Sequence, residues 1–205
     1  MKIFLVVAIL FLTVSAEAKP IPAKVNLLVC TSAHPYAMSR RKALNAWEDS
    51  SKQIYDELKV NLRVVSLQVR PCNLPTYYQE LYNGNQFDRV LRFFKQKPGV
   101  YNFAILPGVS TDSDSRGMGG VSNGFCGLTK DWNLAIAALP DDVPLRVAST
   151  TISHEMGHQL GCHHVESYPP TIMHPNVAFW VWGRGKVRFG KECRSEALQC
   201  FQSTK

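Results

Sequence analysis

Residues 154 to 164 read HEMGHQLGCHH, and no other stretch constrains the fold as tightly. On a helix, His154 and His158 project from one face a single turn apart, so two imidazoles can grip one ion. Glu155, the next residue along, is placed to reach a water on that ion without being a ligand. Gly161 can adopt the left-handed conformation that ends a helix and turns the chain. Soon afterwards His164 brings back another nitrogen. A chain carrying this segment has to wrap a helix end, a sharp turn and a returning loop around one point.

Three neutral imidazoles suit zinc and leave a fourth coordination position open, which marks catalytic rather than structural sites. The ion lowers the pKa of its water towards about 7, and a carboxylate beside it can take that proton and pass it to a leaving amine. The expectation is one zinc per chain on His154, His158 and His164, with Glu155 as the catalytic group. From average residue usage, HExxHxxGxxH arises by chance on the order of once in ten million starting points. His163 adjoins His164, but the spacing favours His164. His174 reads as a structural or rim residue.

The first residues, MKIFLVVAILFLTVSAEA, open with Lys2, run apolar from Ile3 to Val14 and close on Ala16-Glu17-Ala18. That run is too short to span a bilayer and has the three-part build of a secretory signal peptide, expected over residues 1–18. The mature protein is expected to begin at Lys19, to be secreted and extracellular, and to have no membrane span. Residues 19–205 are enough for one domain with its own core. All six cysteines lie there, and an oxidising compartment favours pairing them, with many pairings open. The formal charge of +7 suits contact with anionic cell surfaces or glycans. The compact run Arg40-Arg41-Lys42 reads as the solvated face of a helix, and specific nucleic-acid binding is not expected.

The rest of the chain alternates strand and helix. Residues 23–30 predict a strand. Residues 39–59 place Leu44, Trp47, Ile54, Tyr55 and Leu58 at helical spacing, with Ser39 as the cap. Residues 61–69 predict a β-branched, buried strand, 77–97 a helix broken around Asn83-Gly84-Asn85, and 100–106 a further strand. The turn-rich loop STDSDSRGMGG follows, in which Asp112 and Asp114 offer calcium-type oxygens but more simply form a solvated loop. Short strands are expected within 119–125 and at 134–139, and a helix over 145–160 that starts just after Pro144 and carries the histidines. The fold class is α/β, with a sheet of about five mostly parallel strands.

HExxHxxGxxH followed by a methionine turn resembles the metzincin zinc endopeptidases. The turn is Thr171-Ile172-Met173-His174-Pro175, with Met173 as the apolar floor beneath the metal. Upstream, YNFAILPG, GMGGVSNGFC and LAIAALP ahead of the metal helix resemble the adamalysin (reprolysin) catalytic domain. Some features depart from that branch. Val165 and Glu166 follow the last histidine where Asp is usual, and Thr171 stands where a cysteine is usual. The short step from His164 to Met173 is similar to the matrixins. Pro175 occupies the place of the tyrosine ligand of astacins and serralysins.

The resemblance implies an α+β metzincin-like catalytic domain. Its upper part would span 19–161 and its small irregular lower part, with a terminal helix, 162–205. It implies an extended peptide paired with the edge strand at Gly119, Gly120 and Val121, and a pocket walled by Pro175, Asn176 and Val177. It also implies the disulfides Cys126–Cys200, Cys162–Cys193 and Cys30–Cys72. Arg70-Pro71-Cys72-Asn73-Leu74-Pro75 is similar to a cysteine switch, yet Cys72 is expected in a disulfide and no pro-segment is evident. The function implied is a secreted, monomeric zinc endopeptidase acting on extracellular proteins or peptides. The competing expectation is a non-catalytic, toxin-like binding protein that kept the scaffold.

Overall fold

The computed structural model describes residues 19–72, 90, 94, 99–109, 118–123, 134–177, 181 and 187–203. The expected signal peptide, the loop with Asp112 and Asp114, Cys126 and, apart from Val90 and Phe94, the helix expected over 77–97 lie outside them. The elements run β1 (Ile21–Thr31), α1 (Arg40–Leu58), β2 (Val60–Pro71), β3 (Tyr101–Leu106), β4 (Gly119–Asn123), β5 (Leu134–Ala138), α2 (Leu145–Gln159) and α3 (Lys191–Ser203). No helix among the described residues is long and apolar enough to cross a membrane.

Among the described residues the sheet has five strands, in the order β2-β1-β3-β5-β4. The β1–β2, β1–β3 and β3–β5 pairs are parallel, and β4 alone runs antiparallel, against β5. Its inner strands read as largely apolar runs because both faces are covered, and the two buried asparagines, Asn26 of β1 and Asn102 of β3, bond each other at 2.9 Å. On one face Leu27, Val29, Phe103, Ile105, Ala135 and Ala137 pack under the helices. Their neighbours Leu28, Cys30, Ala104, Leu106, Leu134 and Ile136 face the other way, onto Val90 and Phe94. Alternation at period two thus divides one strand set between two cores.

Strand β2 departs from its expected burial. It lies at the edge of the sheet, and Val64, Val65 and Leu67 are exposed. The register slips between Val25 and Asn26, which leaves Val65 as the extra residue of a bulge, a common device at sheet edges. A β-branched run has the same composition at an edge as in the middle; only the pairing partners differ.

Helix α1 starts as expected at Ser39, whose hydroxyl accepts from the Lys42 N–H at 3.3 Å. It packs on β1, β2 and α2, burying Ala43, Ala46, Trp47, Ser50, Gln53, Ile54 and Leu58. Tyr55, expected on this face, is exposed instead, with the Lys59 ammonium 5.8 Å from its ring centre. Small residues take its place at the helix contact, where Ser50 and Ser153 bring their hydroxyls within 2.9 Å. Trp47 leans on Phe103 at 5.3 Å between ring centres, which joins α1 to the middle of the sheet. Truncating fully buried Phe103 to alanine should cost about 3–5 kcal/mol in denaturant unfolding. A loss below about 1 kcal/mol would mean the ring is not packed as described.

Candidate metal centre

Helix α2 is buried on nearly every side, from Val147 to Gln159. Its end is built by the glycine that the sequence places there. Gly161 has φ +96°, the Gly161 N–H donates to His158 O at 3.0 Å, and the Cys162 N–H reaches back to Gly157 O at 2.9 Å. This pair of bonds is a Schellman motif, which closes the last carbonyls and reverses the chain. The Cys162–Cys193 disulfide then ties the turn to α3, with Cα atoms 4.7 Å apart.

The reversal brings the histidines together. The Nε2 atoms of His154, His158 and His164 form a triangle with sides of 3.1–3.2 Å. Among the described residues this is the one cluster that can hold a metal ion. Four-coordinate zinc with N–Zn distances of about 2.0–2.1 Å needs nitrogens about 3.3 Å apart, so the donor set fits that ion.

Two of the three rings are aimed from behind. His154 Nδ1 donates to Ile172 O at 2.6 Å, and His158 Nδ1 donates to Cys162 O at 2.8 Å. A carbonyl only accepts, so the proton is on Nδ1 and the lone pair on Nε2 faces the centre. Burial is the main reason the imidazoles stay neutral, opposed in part by those carbonyl bonds. His154 is held down to about 3 and His158 to about 4. Partial burial also lowers His164, the most exposed of the three, and nearby His174 adds to the shift.

Glu155 is buried, with Oε1 4.0 Å from His154 Nε2. Desolvation pushes its carboxyl up to about 8. Its side chain lies against Gly120 of β4. The ligand nitrogens of His154 and His158 are thus free to coordinate an ion.

Met173 is fully buried against the bare backbone of Gly157, where an added Cβ would come within 2.5 Å of its Sδ. The Met173 carbonyl accepts from the Val165 N–H at 3.0 Å, which fixes the chain just past His164. His163 turns away from the centre: its N–H and Nδ1 contact the Glu196 carboxylate on α3 at 3.1 and 3.0 Å. Gly119, Gly120 and Val121 lie in β4, the last strand of the sheet, with their backbone paired to β5 on one side. Past the methionine turn, Pro175 and Asn176 are exposed while Val177 is buried in the core.

Two of the expected disulfides are present, Cys162–Cys193 and Cys30–Cys72. The second commits the Cys72 sulfur and removes it from any switch. Cys200 is buried on α3, and its expected partner Cys126 is outside the described residues. The parts that sequence reading missed are those supplied by backbone or by distant elements. They include the Ile172 and Cys162 carbonyls, the Glu196 clasp and the close approach at Gly157. Only the last had a visible signal, a glycine between the two helical histidines.

A search of curated protein sequences finds no match. Among solved structures, archaemetzincin from Methanopyrus kandleri superposes with a TM-score of 0.58 at 13% identity, covering 88% of this chain and 96% of that one. Metalloproteinase-II from Bacteroides fragilis superposes with a TM-score of 0.51 at 16% identity, covering 90% of this chain and 55% of that one. At such identities the likeness concerns the fold. The family described as "Metallo-peptidase family M12B Reprolysin-like" matches residues 42–165, from the start of α1 to just past His164. With the family's metallopeptidase chemistry matched by this donor set, the chain belongs to the reprolysin-like M12B metallopeptidases and is a zinc metalloendopeptidase.

Proposed function

We propose that the chain is a secreted endopeptidase in which His154, His158 and His164 hold one zinc ion and Glu155 moves the protons of peptide hydrolysis. The observation that carries this reading is the Nε2 triangle of 3.1–3.2 Å with a buried carboxyl 4.0 Å from one of its corners. Zinc bound there supplies a Lewis acid that polarises the scissile carbonyl and makes an attacking water more acidic. Glu155 takes a proton from that water on a carboxylate oxygen and delivers it to the leaving amine. Its burial excludes competing solvent from the transfer. The buried rings, fixed by Ile172 O and Cys162 O, keep the ligand nitrogens pointed at one place throughout.

In this reading the peptide substrate lies extended along β4 and pairs with the backbone at Gly119, Gly120 and Val121, while Pro175, Asn176 and Val177 border the next side-chain pocket. Residues 1–18 act as a signal peptide and 19–205 as a single catalytic domain. The two disulfides suit an oxidising, extracellular setting. Secreted protein should begin at Lys19 on N-terminal sequencing; retention of residues 1–18 would contradict the secretory reading.

Purified protein should carry about one zinc and cleave a quenched peptide library, and a chelator should abolish cleavage. Glu155→Ala should keep the zinc while kcat/KM falls by about 10²–10⁴-fold. Equal activity in the variant would remove Glu155 from the mechanism.

The metal-free protein has its own pH signature. Between 4.5 and about 8 the folded chain keeps a proton on Glu155 that the unfolded chain has released, so this group's burial costs stability increasingly as pH rises through that window. His154 and His158 act in the opposite sense. Below 6.5 the unfolded chain takes up protons that the folded rings refuse, so stability is lost as pH falls towards about 4 and then about 3. Metal-free Glu155→Gln should therefore gain in stability over wild type steadily from pH 4.5 to 8. A pH-independent difference in Tm would contradict the buried carboxyl.

A further inference from the structure

Helix α2 and strand β4 meet along a ladder that the sequence does not advertise. Thr151, Glu155 and Gln159 sit one helical turn apart on α2, and each meets one of Met118, the residue just before β4, and Gly120 and Ser122 within it. Thr151 Oγ1 lies 3.9 Å from Met118 Sδ, and Gln159 Nε2 donates to Ser122 Oγ at 2.9 Å. Between them the Glu155 side chain rests on Gly120. Four helical residues advance about 6 Å and two strand residues about 6.8 Å, so helix and strand stay in step over these rungs.

The middle rung has no side chain on the strand. A Cβ on Gly120 would lie 2.5 Å from Glu155 Cδ, far inside the carbon–carbon contact distance of about 3.5–4.0 Å. Gly120 is not among the glycines with positive φ, so the backbone itself would accept alanine. Any side chain here would have to displace the Glu155 carboxylate.

We propose that Gly120 is a positioning residue for Glu155. The bare backbone of β4 at this position is the seat of the carboxylate, and the Met118 and Ser122 rungs hold that seat in register with α2. The inference rests on the reading of Glu155 as the proton-transfer group and of β4 as the substrate-pairing strand. One strand then sets both the line of the peptide and the place of the group that acts on it.

The test is a double-mutant cycle on the metal-free full chain, read by thermal unfolding, with kinetics on the zinc-loaded proteins beside it. Gly120→Ala should lower Tm by several degrees in the wild-type background. In the Glu155→Ala background the same change should cost nothing or raise Tm, because the methyl enters space the carboxylate has left. If Gly120→Ala does not fold but the double variant does, that rescue is the same result in stronger form. Additive Tm losses, or a double variant as unfolded as the single one, would overturn the proposal. With zinc retained, Gly120→Ala should lose roughly tenfold to a hundredfold in kcat, the scale of a reacting group displaced by about 1 Å, with KM within about twofold. Wild-type kcat in Gly120→Ala beside an inert Glu155→Ala would sink this inference alone. An active Glu155→Ala would instead sink the reading beneath it, while the Tm cycle still reports whether the seat exists.

Discussion

His154 and His158 each give their Nδ1 hydrogen to a backbone carbonyl, Ile172 O at 2.6 Å and Cys162 O at 2.8 Å, and the rest of the site follows from those two bonds. They select the tautomer, set each ring's rotation and leave a lone pair on Nε2 directed at a common point. The carbonyls come from opposite sides of the motif. Cys162 belongs to the turn that ends α2, and Ile172 to the loop that brings Met173 back under the helix. The turn and the loop therefore orient the ligands as well as connecting them.

That arrangement needs α2 to be held still, and the fold does this from several directions. Ser153 meets Ser50 of α1 inside the molecule, while Gln53 and Glu57 of α1 bond Val187 O and the Phe189 N–H at 2.7 Å each. Those bonds hold the segment whose Phe189 ring lies beside Gly157, next to Met173. On the other flank β4 runs alongside in register. The disulfide from Cys162 to Cys193 fixes the turn to α3, and a cross-link of this kind stabilises chiefly by restricting the unfolded chain.

Features that depend on near neighbours in the chain were legible. The spacing of His154 and His158, the turn at Gly161, the Ser39 cap and the apolar runs of β1, β3 and β5 follow from local periodicity and backbone preference. Features decided by long-range pairing were not. The β-branched run of β2 is the same whether the strand is central or at the edge, and its exposure comes from the strand order. Tyr55 failed for a different reason. At the α1–α2 contact Ser50 meets Ser153 at 2.9 Å, and a ranking by hydrophobicity passes over such a small residue, whose value is closeness. Likewise nothing in GMGGVS announces a carboxylate seat, because the partner is a residue on another element. The pairings Cys30–Cys72 and Cys162–Cys193 were open from the cysteine count and reached only through family resemblance.

Imidazole nitrogens alone present a three-point face to zinc and leave it room for a further ligand. X-ray absorption at the zinc edge measures that directly in the purified protein. The expected spectrum has three imidazole nitrogens at about 2.0–2.1 Å and a further light oxygen scatterer, with no sulfur shell. A zinc–sulfur distance near 2.3 Å, or a fourth imidazole closing the shell, would mean the ion is structural and the site is not the one described.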